Sequence, residues 1–281
     1  MNEKNGLLTV NTIKDFDLYH TLSCGQCFRW KLHDAFWVGQ AFGKEVQLFG
    51  HSSTLTIKGV NLEEYDTQWV HYLSLDEDYS TYINQLSYQD DIMTKAIAYG
   101  SGLRLLKQDI WETLISFIIS QNNGIPRITK IIDQLCRCFG SKITENSYAF
   151  PTPEQLSKLN ACEMEICKAG YRTDYIIQTA NQVLQGGIDL FGLVHLPYIE
   201  AREKLMSLHG VGMKVADCTL LFSGFHSEAF PVDRWVLRIM SNLYPESGNS
   251  IASIQEFANR KWGKLAGLAQ EYLFYFIRNQ A

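Results

Sequence analysis

Apolar and polar positions recur at two different periods along the 281 residues, and the change falls near Asp76. Before it, short segments at 28–31, 36–41, 46–49 and 55–57 are aromatic and β-branched. Turn candidates at His33-Asp34, Gly43-Lys44 and His51-Ser52-Ser53 separate them. This spacing predicts an antiparallel sheet of hairpins. After Asp76, apolar residues recur three and four apart over 90–98, 111–120, 125–139, 153–159, 161–169, 173–185, 198–208, 213–224, 234–243 and 254–262, each predicting a helix. Thr173 or Asp174 is placed to cap one helix, and Pro153 suits a first-turn position. The last segment, 265–278, is apolar over most of its circumference, which predicts a helix docked in the core. The expected fold is α+β: an N-terminal antiparallel sheet domain over 1–98, then a mostly helical region of two subdomains over 99–281.

Composition adds bounds. With 46% hydrophobic and 20% charged residues the chain reads as an ordinary globular protein, long enough for two or three lobes. No apolar run approaches the ~18 residues of a membrane span, and no basic segment leads into an apolar one at the start, so an intracellular location is expected. Seven cysteines, an odd number without an export signal, favour reduced thiols. Cys24 and Cys27 form a C-x-x-C, but Phe-Arg-Trp follows where a redox motif needs a helix. Zinc needs a second pair, and Cys136-Arg137-Cys138 has the wrong spacing. Structural thiols are the favoured reading, with redox chemistry as the alternative. The net charge of −5 is concentrated: residues 1–99 hold 7 Lys/Arg against 13 Asp/Glu, and residues 100–281 hold 18 against 17. Bulk electrostatics therefore gives no argument for nucleic acid, and any such case rests on local sites.

The sharpest local signal is Leu208-His209-Gly210-Val211-Gly212-Met213-Lys214, a very short turn within a helical hairpin at about 199–224. Glycine permits positive φ and leaves backbone amides unobstructed. Amides at Gly210, Gly212 and the second helix's N-terminus then form a phosphate site that holds DNA without reading its sequence. The same turn also reads as a glycine C-cap between two helices. Lys214 falls in the first turn of the second helix, whose positive end disfavours a protonated amine and so suits a nucleophile. Cys218, at i+4, shares its face. Phe230-Pro231-Val232-Asp233 then brings a carboxylate placed to cap the next helix. Capping alone explains Asp233, but a capping carboxylate can also stabilise a cationic sugar.

G-V-G-M-K-V-A-D-C followed by P-V-D resembles the 8-oxoguanine glycosylase/AP lyase branch of the helix-hairpin-helix/Gly-Pro-Asp DNA glycosylases. The similarity runs from about residue 16 to residue 279. It implies a sheet-bearing N-terminal domain and two helical domains with the active site between them. It also implies Lys214 and Asp233 as the catalytic pair.

An enzyme acting on a base in a duplex must flip it out, stack on it and bond its edge. Gln270 and Phe274 lie at i and i+4, so an amide and a ring share one helix face. On spacing alone that pair reads first as core packing. The resemblance implies that Phe274 and Cys218 sandwich the flipped base, that Gln270 bonds its edge, and that the Gly25 carbonyl accepts the N7 proton of 8-oxoguanine. Guanine has a bare acceptor at N7, so one carbonyl separates lesion from normal base. The polar run Ser120-Gln121-Asn122-Asn123 reads alone as a loop before a helix. By resemblance Asn122 fills the gap left by the base, Arg127 and Arg172 donate to the orphaned cytosine, and Tyr171 wedges beside it. Gly124 stands where the family commonly has a third asparagine, and Trp235 replaces a histidine near the phosphate.

The expected partner is double-stranded DNA containing 8-oxoguanine, bound by a monomer. No cofactor is expected to be required. No cysteine follows Cys218, which argues against the iron–sulfur loop of the thymine-glycol and adenine branches. No side-chain metal site is expected, while a cation bound by hairpin carbonyls stays open. The rivals are a water-activating glycosylase for alkylated bases, which usually lacks the hairpin lysine, a non-catalytic DNA-binding module, and a redox protein using Cys24 and Cys27.

Overall fold

The computed structural model describes residues 2–4, 6–51, 53–88 and 90–280. Six strands form one antiparallel sheet: β1 (Asn2–Lys4), β2 (Leu7–Val10), β3 (Lys31–His33), β4 (Phe36–Ala41), β5 (Lys44–His51) and β6 (Thr54–Lys58), in the order β1-β2-β6-β5-β4-β3. Alternate residues of β5 and β6, Val46, Leu48, Leu55 and Ile57, point inward and are fully buried. They pack on α1 (Leu18–Ser23) and on Trp69 and Tyr72 of a helical stretch comprising α2 (Leu62–Glu64), a π segment Tyr65–Trp69 and α3 (Val70–Tyr72).

Two groups of helices follow. One comprises α6 (Ile110–Ser120), α7 (Ile125–Phe139), α8 (Pro153–Ser157), α9 (Ala161–Met164), α10 (Arg172–Leu184), α11 (Tyr198–Met206) and α12 (Met213–Phe222). The other brings α4 (Tyr79–Ser87) and α5 (Asp91–Tyr99) against α13 (Arg234–Leu243), α14 (Ile251–Trp262) and α15 (Ala266–Arg278). A single apolar core runs through both groups. α15 is buried around most of its surface, as its apolar circumference predicts.

Several expectations need correction. Residues 28–30 are not strand. Phe28 enters the helical core edge-on to Phe117, while Cys27 and Trp30 enter the sheet core. In a strand Phe28 and Trp30, two residues apart, would share one face, but here they enter different cores, so the aromatic content only mimics a strand. The β4–β5 turn is Phe42-Gly43, one residue earlier than expected. The His51-Ser52-Ser53 turn includes Ser52, which lies outside the described residues. α1, α4 and the 62–72 stretch were not expected, being short or weakly periodic. Neither Thr173 nor Asp174 caps α10: its N-cap is Tyr171, and Asp174 bonds His209 Nε2 at 2.9 Å. Pro153 does occupy the first turn of α8, behind a Thr152 capping box.

The sheet is stapled to the helices by buried polar groups. The Gln26 amide donates to Thr21 O (2.9 Å) and Arg104 O (2.8 Å) and accepts from Leu106 N (2.8 Å). Arg104 lies over the Tyr79 ring and donates to four backbone carbonyls, those of Lys14, Asp15, Ser74 and Glu77. Arg104→Met leaves these carbonyls without their charged donor. The expected loss is about 3 kcal/mol, or roughly 6–12 °C in Tm. Thermal unfolding checks it, and an unchanged Tm counts against the staple.

Candidate active site

The site begins with the α11–α12 turn. Gly210 has φ +77, and a Cβ there would run into the Tyr175 ring, so only glycine fits. His209 O accepts from Thr179 Oγ1 (3.0 Å) and Gly210 O from Gln121 Nε2 (3.0 Å), which fixes the turn from α10 and from the end of α6. Gly212 is the N-cap of α12, has no side chain to satisfy the helix amides, and faces open space. Those amides are the exposed end of the hairpin.

The two helices are locked by a buried acid. Asp217 on α12 accepts from Tyr198 Oη of α11 (2.7 Å) and from Gln255 Nε2 of α14 (2.7 Å). Gln255 Nε2 also donates to Phe230 O (3.0 Å), tying the strand-like segment before α13 to the hairpin. Burial raises the Asp217 carboxyl to about 6, against the lowering effect of its hydrogen-bond donors.

In the first turn of α12, Lys214 Nζ donates to Ser120 Oγ at the end of α6 (2.9 Å) and lies 4.7 Å from the centre of the Phe117 ring. Ser120 donates in turn to Phe117 O (2.7 Å), so its oxygen is oriented toward the amine. Cys218 lies a turn further along. Burial is the main cause that pushes its thiol up to about 12. Asp233 caps α13 as expected, its Oδ1 accepting from Trp235 N (2.9 Å) and Val236 N (2.8 Å). A carboxylate has a second oxygen, and the cap does not use it.

A cavity of about 360 Å³ lies between the two helix groups, a volume typical of small-molecule sites. Gly25, Lys214, Cys218, Asp233, Gln270 and Phe274 all line it. Trp235, half-exposed, also lines it, as does Gly124, the N-cap of α7. Gln270 is only 5% exposed, and its Oε1 has no hydrogen-bond partner among the described residues. A buried unpaired acceptor in a cavity wall costs free energy and fits a ligand donor.

Four further positions lie outside the cavity wall. Asn122 is exposed, in the left-handed region (φ +47), and donates to Tyr171 Oη (3.3 Å). Tyr171 is half-exposed and stacks beneath the Arg172 guanidinium, 4.5 Å from its ring centre. Arg127 is exposed on the first turn of α7. Arg172, expected by resemblance to donate to the orphaned cytosine, is engaged with backbone carbonyls here. It is buried and donates to the carbonyls of Gln121, Asn122 and Ala169, so most of its N–H groups hold the turn that presents Asn122.

Sequence reasoning missed Ser120 as the lysine's partner, the Asp217 network, and Glu271 and Arg278, which both line the cavity. The available signal was an acid and an arginine in an otherwise apolar helix, since polar groups there are forced inward. Glu271 is 2% exposed. Burial raises its carboxyl to about 7, with the Cys24 thiol and Arg278 lowering it and Asp233 raising it. C-x-x-C is explained without redox chemistry: Cys24 and Cys27 are buried, unpaired packing groups.

Glu271 carries a pH dependence. Its folded value, about 7, exceeds the ordinary 4.5, so the native state keeps the proton longer than the unfolded chain. Its contribution is greatest below pH 4.5 and is lost as pH rises through 7. A carboxyl held at about 7 in place of 4.5 corresponds to about 3 kcal/mol. Glu271→Gln is expected to flatten the fall in Tm between pH 6 and 8, leaving the part below pH 6 that Asp217 contributes. Equal slopes for both proteins in that window would refute the assignment.

Comparisons with known proteins agree with this architecture. Residues 8–114 match the 8-oxoguanine DNA glycosylase N-terminal domain, and residues 115–264 match the HhH-GPD superfamily of base excision DNA repair proteins. The N-glycosylase/DNA lyase of Saccharomyces cerevisiae is 32% identical over an alignment covering 98% of this chain and 86% of the yeast protein. MBOgg1, solved in complex with a low affinity DNA ligand, superposes with a TM-score of 0.95 at 39% identity, covering 99% of this chain and 98% of the other. The 8-oxoguanine glycosylase/lyase of Clostridium acetobutylicum, solved with dsDNA containing cytosine opposite 8-oxoG, gives 0.94 at 37% identity, covering 99% and 97%. The sheet domain, the hairpin and the matched models agree: the chain belongs to the 8-oxoguanine DNA glycosylase branch of the HhH-GPD superfamily of base excision DNA repair proteins.

Proposed function

We propose that this protein finds 8-oxoguanine in duplex DNA, removes it with Lys214 as nucleophile, and cleaves the resulting abasic site. Base removal with lyase activity is the activity carried by the names of its relatives. The observation that supports Lys214 is its convergence with Asp233, Gln270 and Phe274 on one cavity from three separate helices.

The reaction follows from those groups. The duplex backbone docks on the hairpin amides near Gly210 and Gly212, and the lesion enters the cavity. Lys214 Nζ forms a bond to C1′ as the C1′–N9 bond breaks, its electron pair leaving with the base. The amine gives up a proton, and the departing base takes one. Asp233, fixed by its own helix cap, stabilises the cationic sugar by charge. Opening of the sugar gives a Schiff base. Loss of a C2′ proton then expels the 3′ phosphate, and water hydrolyses the Schiff base to restore Lys214. The Gly25 carbonyl accepts the lesion's N7–H, Gln270 bonds the base edge, and Phe274 and Cys218 pack on its faces. Asn122 and Tyr171 occupy the vacated stack, Arg127 reaches the orphaned cytosine, and Arg172 acts by bracing the Asn122 turn. All these groups come from one chain, which supports action as a monomer. No step requires a cofactor. A cation on hairpin carbonyls is compatible with the turn, since a carbonyl has two lone pairs. Among the described residues no helix is long and apolar enough to cross a membrane. Chromosomal DNA as substrate supports an intracellular site of action.

Borohydride reduction on an 8-oxoguanine:cytosine duplex is expected to trap a covalent protein–DNA adduct, and Lys214→Gln to abolish it. Base release should fall by at least about 10³-fold in the variant. An undiminished adduct with Lys214→Gln would falsify the assignment of the nucleophile.

A further inference from the structure

The wall of the cavity that carries Gly25 is held by the last helix, and by one side chain above all. Arg278 Nη1 donates to Cys24 O (2.6 Å) and Nη2 to Ser23 O (2.7 Å), so the two arms of one guanidinium take successive carbonyls. The same guanidinium lies 5.4 Å from the centre of the Phe274 ring, which packs against Gly25 on the cavity side. Gly25 itself has φ +114, and a Cβ there would sit 2.6 Å from Arg278 Nη1 and 3.5 Å from Phe274. Two neighbouring positions of α15 secure the rest of the segment. Tyr275 Oη is 3.2 Å from Ser23 Oγ and 2.9 Å from His20 Nδ1, and the Glu271 carboxyl interacts with the Cys24 thiol.

We infer that Arg278 is a positioning residue for lesion recognition, fixing the backbone of residues 23–25 so that the Gly25 carbonyl meets the N7–H of 8-oxoguanine. This rests on the functional reading given above. The physical case is geometric. Lesion and guanine differ at N7 by one donor in place of an acceptor, and a hydrogen bond decays over a few tenths of an ångström and a few tens of degrees. A carbonyl on a mobile loop cannot use that difference. A glycine in the left-handed region has no side chain of its own to anchor it. The rigidity must come from outside, and a planar guanidinium bonded to the two preceding carbonyls supplies it in two directions at once. A lysine, with a point charge on a flexible stem, cannot. Among the described residues no hydrogen bond joins Arg278 to Lys214, whose partner is Ser120, so the effect expected of Arg278 runs through the Gly25 carbonyl and the base.

Two reactions of the same protein separate this role from general stability. Release of 8-oxoguanine needs the base to be read, whereas cleavage of a preformed abasic site does not. Single-turnover rates for both are measured for wild type, Arg278→Leu and Arg278→Lys. Binding is measured to duplexes carrying non-cleavable 2′-fluoro nucleosides of 8-oxoguanine and of guanine. For Arg278→Leu, base release is expected to fall at least ten-fold and abasic-site cleavage by no more than about three-fold. The guanine-to-lesion ratio of Kd should shrink about ten-fold, the scale of one misplaced hydrogen bond. Arg278→Lys should fall between the two. The inference is overturned by an unchanged Kd ratio in Arg278→Leu, or by equal losses in both reactions, which mark a merely structural residue. A wild-type protein without any preference for the lesion defeats the functional reading instead, before the variants are compared.

Discussion

The close approach of α15 to the α12–α13 connection sets the dimensions of everything else. Gly267 lies where a Cβ would press into Leu221 and come within 2.7 Å of Ser227 O and 2.9 Å of Ala229 O. The helix therefore meets its neighbours at backbone distance, and dispersion contacts hold it there. Lys214 and Cys218 hang from one side of that contact, Asp233 from the segment leaving it, and Gln270 and Phe274 from α15 itself. A larger residue at 267 would widen a cavity whose parts must agree to within about half an ångström.

Around this contact the protein spends stability on polarity. Asp217 and Glu271 are buried acids raised to about 6 and about 7, and Gln270 keeps an unpaired oxygen. Asp217 is satisfied and structural, since its partners bind three helices together. Gln270 is unsatisfied and faces the cavity, so a ligand donor recovers what folding left unmade. The lysine is treated differently again. Its ammonium or amine rests on a hydroxyl and an aromatic ring, and among the described residues it has no carboxylate partner. A tight ion pair there would oppose its use as a nucleophile.

Much of this was legible in the sequence, for identifiable reasons. The helices over 125–139 and 234–243 have sharp polar and apolar faces, and their bounds are those the period predicts. The hairpin announces itself through Gly210 and Gly212, because turn chemistry is local. Asp233 was legible as a cap for the same reason. What was not legible depends on tertiary contact. Phe28 and Trp30 look like one strand because sequence cannot say that they serve different cores. That Arg172 also holds the Gln121 and Asn122 carbonyls depends on where those carbonyls lie in space, which no sequence spacing records. Ser120 reaches Lys214 across 94 positions, Arg278 reaches Cys24 across 254, and neither pairing leaves a periodic trace.

Cys218 beside the lysine has one more consequence. Burial, which raises its thiol well above the ordinary range, favours the neutral form, and the thiolate is the form that peroxides attack. Cys138 and Cys162, both exposed, stand outside this shelter and would meet an oxidant first. The burial that shapes the cavity thus also suits this sulfur to be an apolar, polarisable wall rather than a reactive thiol.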